Sequence, residues 1–135
     1  GIRWGSGLNR SFQYEHTQSR IGATIWEKPL RYIENFPLFT MDKVQIPILI
    51  MHNYQDGHVP WYQGIEYFIA LKRLQKPVLM LNYTGEIHWP QRLANKVDFQ
   101  KRMFQFFEHY LNRQPMPKWM EEGVQAVDKD FELGY

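Results

Sequence analysis

Two stretches of the chain are apolar at nearly every position, and both are short. Residues 44–52, VQIPILIMH, and 77–83, PVLMLNY, mix β-branched and aliphatic side chains without alternating polar and apolar positions. That pattern predicts strands covered on both faces in a parallel sheet, with Pro47 near the start of the first, where its missing N–H does least harm. After each run the period changes. QGIEYFIALKRLQ places Ile65, Phe68 and Ile69 at helical spacing, with Leu71 and Leu74 widening the stripe and Lys72 and Arg73 exposed near its C-terminal end. Further on, Asn95 with Asp98 three residues later reads as a helix start related to the capping box. Phe99, Met103, Phe106, Phe107, Tyr110 and Leu111 then form an apolar stripe suited to packing on a sheet, until Pro115 and Pro117 stop it.

The flanks are weaker. Residues 1–25 hold no sustained period and read as loop with at most one short helical turn. WEKPLRYIENF predicts a short helix with Pro29 in its first turn, Leu30 and Ile33 on one face, and Pro37 as its stop. The segment KWMEEGVQAVDKDFELGY is polar with a few aromatics and is expected to wrap the surface. Strand, helix, strand, helix argues for an α/β fold with a parallel sheet and right-handed crossovers. Two strands fall short of the usual four to six of an open sheet, so more strands are expected either in the N-terminal region or on chain outside these residues. Three segments result: a loop-rich 1–35, an α/β unit over 36–117, and a tail, 118–135.

Composition narrows the function classes. The 135 residues are 44% apolar and 16% aromatic, enough for a core, and 16 basic against 14 acidic side chains leave a net charge of +2. The charges are scattered, so nothing marks a surface for nucleic acid or an anionic membrane. Without cysteine there is no disulfide, thiolate metal site or cysteine nucleophile, and the compartment stays open between periplasmic or secreted and cytoplasmic. No apolar run approaches the roughly 20 residues that span a bilayer. The chain opens at Gly1 rather than Met, from which a processed product or a fragment is expected.

In open α/β sheets, binding and catalytic groups gather on the loops after the carboxyl ends of strands. Asp56 follows the first predicted strand in ILIMHNYQDGHVPWYQ, and His88 follows the second in TGEIHWPQRLA. Taken singly, each has an ordinary explanation: an Asp in DGHVP is a turn former that bonds nearby backbone N–H groups, and a loop His is most often simply exposed. Together they suit one chemistry. A carboxylate on one imidazole nitrogen fixes the tautomer and leaves the other nitrogen free as a general base. The order Asp, then His, then a long amphipathic helix is that of α/β-hydrolases.

The residues 36–111 that contain these motifs resemble the C-terminal part of the catalytic domain in the prolyl oligopeptidase and dipeptidyl peptidase family of serine peptidases. The resemblance rests on PILIMHNYQDGHVPWYQ, on YTGEIH, and on RMFQFFEHYL inside the last helix. It implies a partial α/β-hydrolase fold, namely the C-terminal strands and helices of a mostly parallel sheet. It also implies that Asp56 and His88 are catalytic triad members, that Glu86 is the acidic residue preceding the His, that Val59 and Pro60 form the turn after the Asp, and that Gln63 opens the helix. Asn53 stands where the family more often has Gly, and the turn is expected to survive because Asn tolerates left-handed backbone.

The family implies a Ser on a G-x-S-x-G elbow upstream of both partners. The serines here are Ser6, Ser11 and Ser19; WGSGL has the wrong glycine spacing and no apolar strand before it, so none qualifies. The nucleophile is therefore expected on preceding chain, with the isolated 135 residues inactive and prone to self-association. A peptide substrate and the upstream part of the same domain are the expected partners, and no cofactor is expected. Two rival readings remain. His52, Asp56 and His58 lie within seven residues and suit zinc by ligand type, although His52 fits better as a buried His bonded to backbone and His58 is expected to face solvent. Alternatively Trp4, Phe12, Tyr14, Trp26, Trp61 and Trp89 furnish the surface of a non-catalytic binding module. His109 is expected on the exposed side of the last helix.

Overall fold

The computed structural model describes residues 10–125 and 132–135. The readings made for Trp4 and Ser6 lie outside them. Among the described residues the order is α1 (Ser11–His16), α2 (Pro29–Glu34), a 3-10 helix (Pro37–Lys43), β1 (Ile48–Met51), α3 (Trp61–Arg73), β2 (Val78–Leu81), α4 (Leu93–Asn112) and α5 (Lys118–Glu121).

β1 and β2 pair in parallel, Ile48 opposite Val78 through Met51 opposite Leu81. Side chains alternate across the pair, so Ile48, Ile50 and Val78 share one face while Leu49, Leu79 and Leu81 share the other. The first face packs with Met41 of the 3-10 helix and Leu71 of α3. The second packs with Phe106 of α4 and with Trp119 and Met120 of α5. The result is a helix, sheet, helix sandwich built on two strands, and both predicted runs are indeed covered on two faces. The coverage is partial, with every residue of β1 half-buried, because among the described residues each strand has only one hydrogen-bonded neighbour.

Several local expectations are corrected. Each strand is four residues long rather than seven or nine, because pairing stops where the partner chain diverges. In α2 the core residue is Tyr32, whose hydroxyl donates to the Ala23 carbonyl at 2.9 Å, while Leu30 is 68% exposed. Pro37 does not merely stop a helix; it occupies the first turn of the 3-10 helix that carries Met41 into the core. α4 begins two residues before Asn95, with no side-chain cap at Arg92. Its stripe is only partly covered, since Phe106 is buried but Phe107 and Leu111 are exposed. His109 is half-buried, with Nδ1 2.8 Å from the Gln114 carbonyl. The tail does more than wrap the surface: the Trp119 indole donates to Gln105 Oε1 at 2.8 Å, and its backbone N–H bonds Gly134.

Candidate active site

Both strands end pointing the same way, so the chains leaving them form adjacent loops. The last backbone rung is His52 N–H to the Leu81 carbonyl at 3.0 Å. Beyond it, asparagine side chains replace the ladder. Tyr83 N–H donates to Asn53 Oδ1 at 2.9 Å, Asn53 Nδ2 donates to the Ile87 carbonyl at 2.7 Å, and Tyr54 N–H donates to Asn82 Oδ1 at 3.2 Å. Asn53 is fully buried. Its φ is not positive, so the expectation that it serves by tolerating left-handed backbone is wrong; its side chain is what the fold uses.

Asp56 sits on the first loop, whose turn is closed by Asp56 N–H to the Asn53 carbonyl at 3.1 Å. One carboxylate oxygen, Oδ1, accepts the N–H groups of His58 and Val59, both at 2.8 Å. This is the turn-forming role that the residue type suggests on its own. The other oxygen, Oδ2, lies 2.8 Å from His88 Nδ1. Burial of Asp56 works to raise its pKa, but the bonds from Val59, His88 and His58 outweigh it and hold the carboxyl below its ordinary value. The Asp56 side chain is only 4% exposed, whereas that of His88 is 51% exposed. A shielded anion thus holds the inner edge of a ring whose outer edge faces solvent. With a carboxylate at Nδ1 the proton sits there, and Nε2 is left as the basic nitrogen.

The second loop is fixed on both sides of His88. Ahead of it, Glu86 N–H to the Tyr83 carbonyl closes a turn in which Gly85 has φ +79°, a conformation that costs other residues strain. Behind it, the buried Glu86 carboxylate accepts Gln91 N–H at 2.6 Å, Arg92 N–H at 3.0 Å and Asn95 Nδ2 at 2.6 Å. The bond from Gln91, with those from Asn95 and Arg92, keeps the Glu86 pKa below its ordinary value. Glu86 thereby supplies at the start of α4 what the sequence assigned to Asn95 and Asp98. Asp98 instead binds Arg102 Nε at 2.8 Å and the Tyr83 hydroxyl at 2.7 Å, and also receives the Tyr135 hydroxyl.

His52, Asp56 and His58 do not converge as metal ligands. His52 is buried with Nε2 3.1 Å from the Val59 carbonyl and 3.4 Å from Asp56 Oδ2, its ring edge-on to Trp61. Since a carbonyl oxygen can only accept, that nitrogen carries the proton. His58 is exposed, its ring 5.2 Å from that of His88. Among the described residues, no group of three His, Asp or Glu side chains is placed to hold a metal ion. Of the aromatics, Trp26 and Phe12 are exposed and Tyr14 stacks on Tyr32. A cavity of about 410 Å³ opens between Tyr14, Tyr32, Met41 and the α3 residues Gln63 and Tyr67, and neither Asp56 nor His88 lines it.

Three contacts had no sequence signal of their own: the two asparagine bridges, and Arg10 Nη2, which donates to the His58 carbonyl at 3.2 Å and ties the N-terminal segment to the Asp56 loop. Ser11 and Ser19 are not bonded to His88.

Known proteins resemble this chain in sequence and in fold. Dipeptidyl-peptidase 5 of Porphyromonas endodontalis is 30% identical over 116 residues, an alignment taking in 78% of this chain and 17% of the relative. The acylamino-acid-releasing enzyme of Rattus norvegicus is 36% identical over 64 residues, 47% of this chain and 8% of the relative. The chain therefore spans less than a fifth of the curated relatives it matches. The Pyrococcus horikoshii acylaminoacyl peptidase superposes with a TM-score of 0.59 over 73% of this chain and 17% of that one, at 23% identity, a likeness of fold. With the sequence signature of the prolyl oligopeptidase family matching residues 6–114, across both strands and both loops, the chain belongs to that family and has a partial α/β-hydrolase fold.

Proposed function

We propose that this chain is the C-terminal portion of a serine peptidase in which Asp56 and His88 are two members of a catalytic triad, and that the serine lies on chain outside these 135 residues. The observation that carries this reading is the 2.8 Å contact between Asp56 Oδ2 and His88 Nδ1, with the ring exposed beyond it. Family membership, the names of the relatives and, among the described residues, the absence of a serine bonded to His88 support it.

In the reaction, His88 Nε2 takes the proton from the serine hydroxyl as its oxygen attacks the peptide carbonyl, then returns that proton to the leaving amine. Asp56 stays ionised, holds the Nδ1–H tautomer and stabilises the imidazolium between the two transfers. It is suited to this because its other oxygen is already held by two backbone N–H groups, so the carboxylate does not turn away when the ring charges.

The test is to express the complete polypeptide and the 135 residues separately, react each with a fluorophosphonate, and assay peptide hydrolysis. The complete polypeptide should label and hydrolyse, His88→Ala in it should lose about three orders of magnitude or more in turnover, and the 135 residues should do neither. Labelling at Ser6, Ser11 or Ser19, or full turnover with His88→Ala, overturns the reading.

A further inference from the structure

We propose that Asn53 is a positioning residue for His88, joining the two loops so that the Asp56–His88 contact forms at a set distance. This rests on the peptidase reading above and adds a part to it. The chemistry of the pocket that Asn53 fills is specific. From the second loop, Tyr83 presents an N–H and Ile87 presents a carbonyl, and Asn53 meets both, Oδ1 to the first at 2.9 Å and Nδ2 to the second at 2.7 Å. A carboxamide offers an acceptor and a donor at that separation, whereas an ionised carboxylate would set a second acceptor against the Ile87 oxygen.

The location matters as much as the chemistry. Ile87 is the residue before His88, and Asn53 also accepts Asp56 N–H through its own backbone carbonyl at 3.1 Å. One buried residue therefore bonds the neighbour of the base with its side chain and the orienting Asp with its main chain. Its position is opposite Tyr83 in a strand register extended two residues past Met51 and Leu81. Asn82 makes the reciprocal bond to Tyr54 N–H at 3.2 Å. Two side-chain bridges thus take over from the β-ladder at the point where the backbones separate to form the loops. The ring needs such support because half its side chain is exposed and α4 starts only at Leu93, five residues later.

The experiment uses the complete polypeptide and measures kcat and KM for Asn53→Ala, Asn53→Asp and Asp56→Asn, with thermal melts for each. Asn53→Ala and Asn53→Asp should lower kcat by about ten- to a hundredfold, the range expected when a reacting group is displaced by around 1 Å, with KM within about twofold of the parent. A loss of packing alone would lower kcat regardless of background, so Asn53→Ala is also placed on Asp56→Asn and assayed on an activated ester. If Asn53 works through the Asp56–His88 contact, its effect should shrink to about twofold or less there. Should Asn53→Ala fail to fold, Asn53→Asp, which keeps the shape and the bond from Tyr83, carries the same comparison. Parent-like kcat in the variants, or an undiminished effect on Asp56→Asn, overturns the proposal while leaving the peptidase reading intact. Parent-like kcat in Asp56→Asn itself overturns both.

Discussion

Asp56 and His88, 32 residues apart in sequence, meet at 2.8 Å because each is on the loop that follows one of two adjacent parallel strands. The Asp carboxylate is shielded and its second oxygen is taken by backbone, so the pair is built from one fixed and one exposed partner.

Replacing Asp56 with Asn in the complete polypeptide should reduce turnover by about 10⁴-fold. The carboxamide donates where the carboxylate accepted, which favours the wrong imidazole tautomer. Steady-state peptide hydrolysis, with circular dichroism to establish that the fold is kept, measures this.

Gly64 is packed against the ring of His52, and a Cβ there would lie 2.3 Å from Nδ1 and 2.8 Å from Cγ. Gly64→Ala must therefore displace the His52 ring, whose Nε2 lies against Val59 and Asp56, and should cost about 1–3 kcal/mol. Gly57→Ala on the same loop meets nothing within 4 Å and should change stability by less than about 0.5 kcal/mol. Urea melts of the two variants give the comparison.

Asp56, Glu86 and Asp98 all have carboxyl groups held below their ordinary values. In Asp98, burial opposes ionisation, but the bonds from Arg102, Tyr135 and Tyr83 prevail. A group whose folded pKa is depressed binds its proton more readily when unfolded, so its stabilisation is complete above the unfolded carboxylate range and is lost as the pH falls through the folded value. Thermal midpoints should therefore be flat near neutrality and drop below about pH 4. Tyr135 behaves oppositely. Burial, with the bond to Asp98 and its charge, pushes the phenol up to about 12. Its stabilisation is present below the ordinary tyrosine range near pH 10 and fades as the pH rises through the folded value. Ultraviolet titration should show Tyr135 ionising after the exposed tyrosines, and Asp98→Asn should shorten that delay while leaving the larger part that burial causes.

Leu71 is fully buried between the sheet and the 3-10 helix, whereas Leu111 is 73% exposed although its spacing on α4 matches the apolar stripe. Leu71→Ala should cost about 2–5 kcal/mol. Leu111→Ala should cost less than about 0.5 kcal/mol. Denaturant melts of both variants separate a core position from an amphipathic pattern that this chain leaves uncovered.

Among the described residues each strand has one unpaired edge, and Phe104, Phe107 and Leu111 expose an apolar strip of α4. Such edges and strips favour association. The 135 residues on their own should sediment as an oligomer at high concentration, and a single monomer boundary would refute this.

The elements whose character is local were legible in the chain. Two unalternating apolar runs became β1 and β2, and the helical periods became α3 and α4, because a side chain's face is set by backbone geometry within a few residues. The placement of Asp56 and His88 at one edge was legible for the same reason: parallel strands direct the loops that follow them to the same end. Tertiary structure decided what those periods leave undetermined. Tyr32 rather than Leu30 enters the core, Glu86 rather than Asn95 and Asp98 serves the start of α4, and Trp119 and Met120 leave a polar tail to cover the sheet. Each depends on a partner supplied by another part of the chain, which no local period records. The asparagines show this most directly. Residue type alone marks Asn53 as a turn former, but its function in the fold comes from an N–H and a carbonyl 30 and 34 residues away, brought within reach only after the strands have paired.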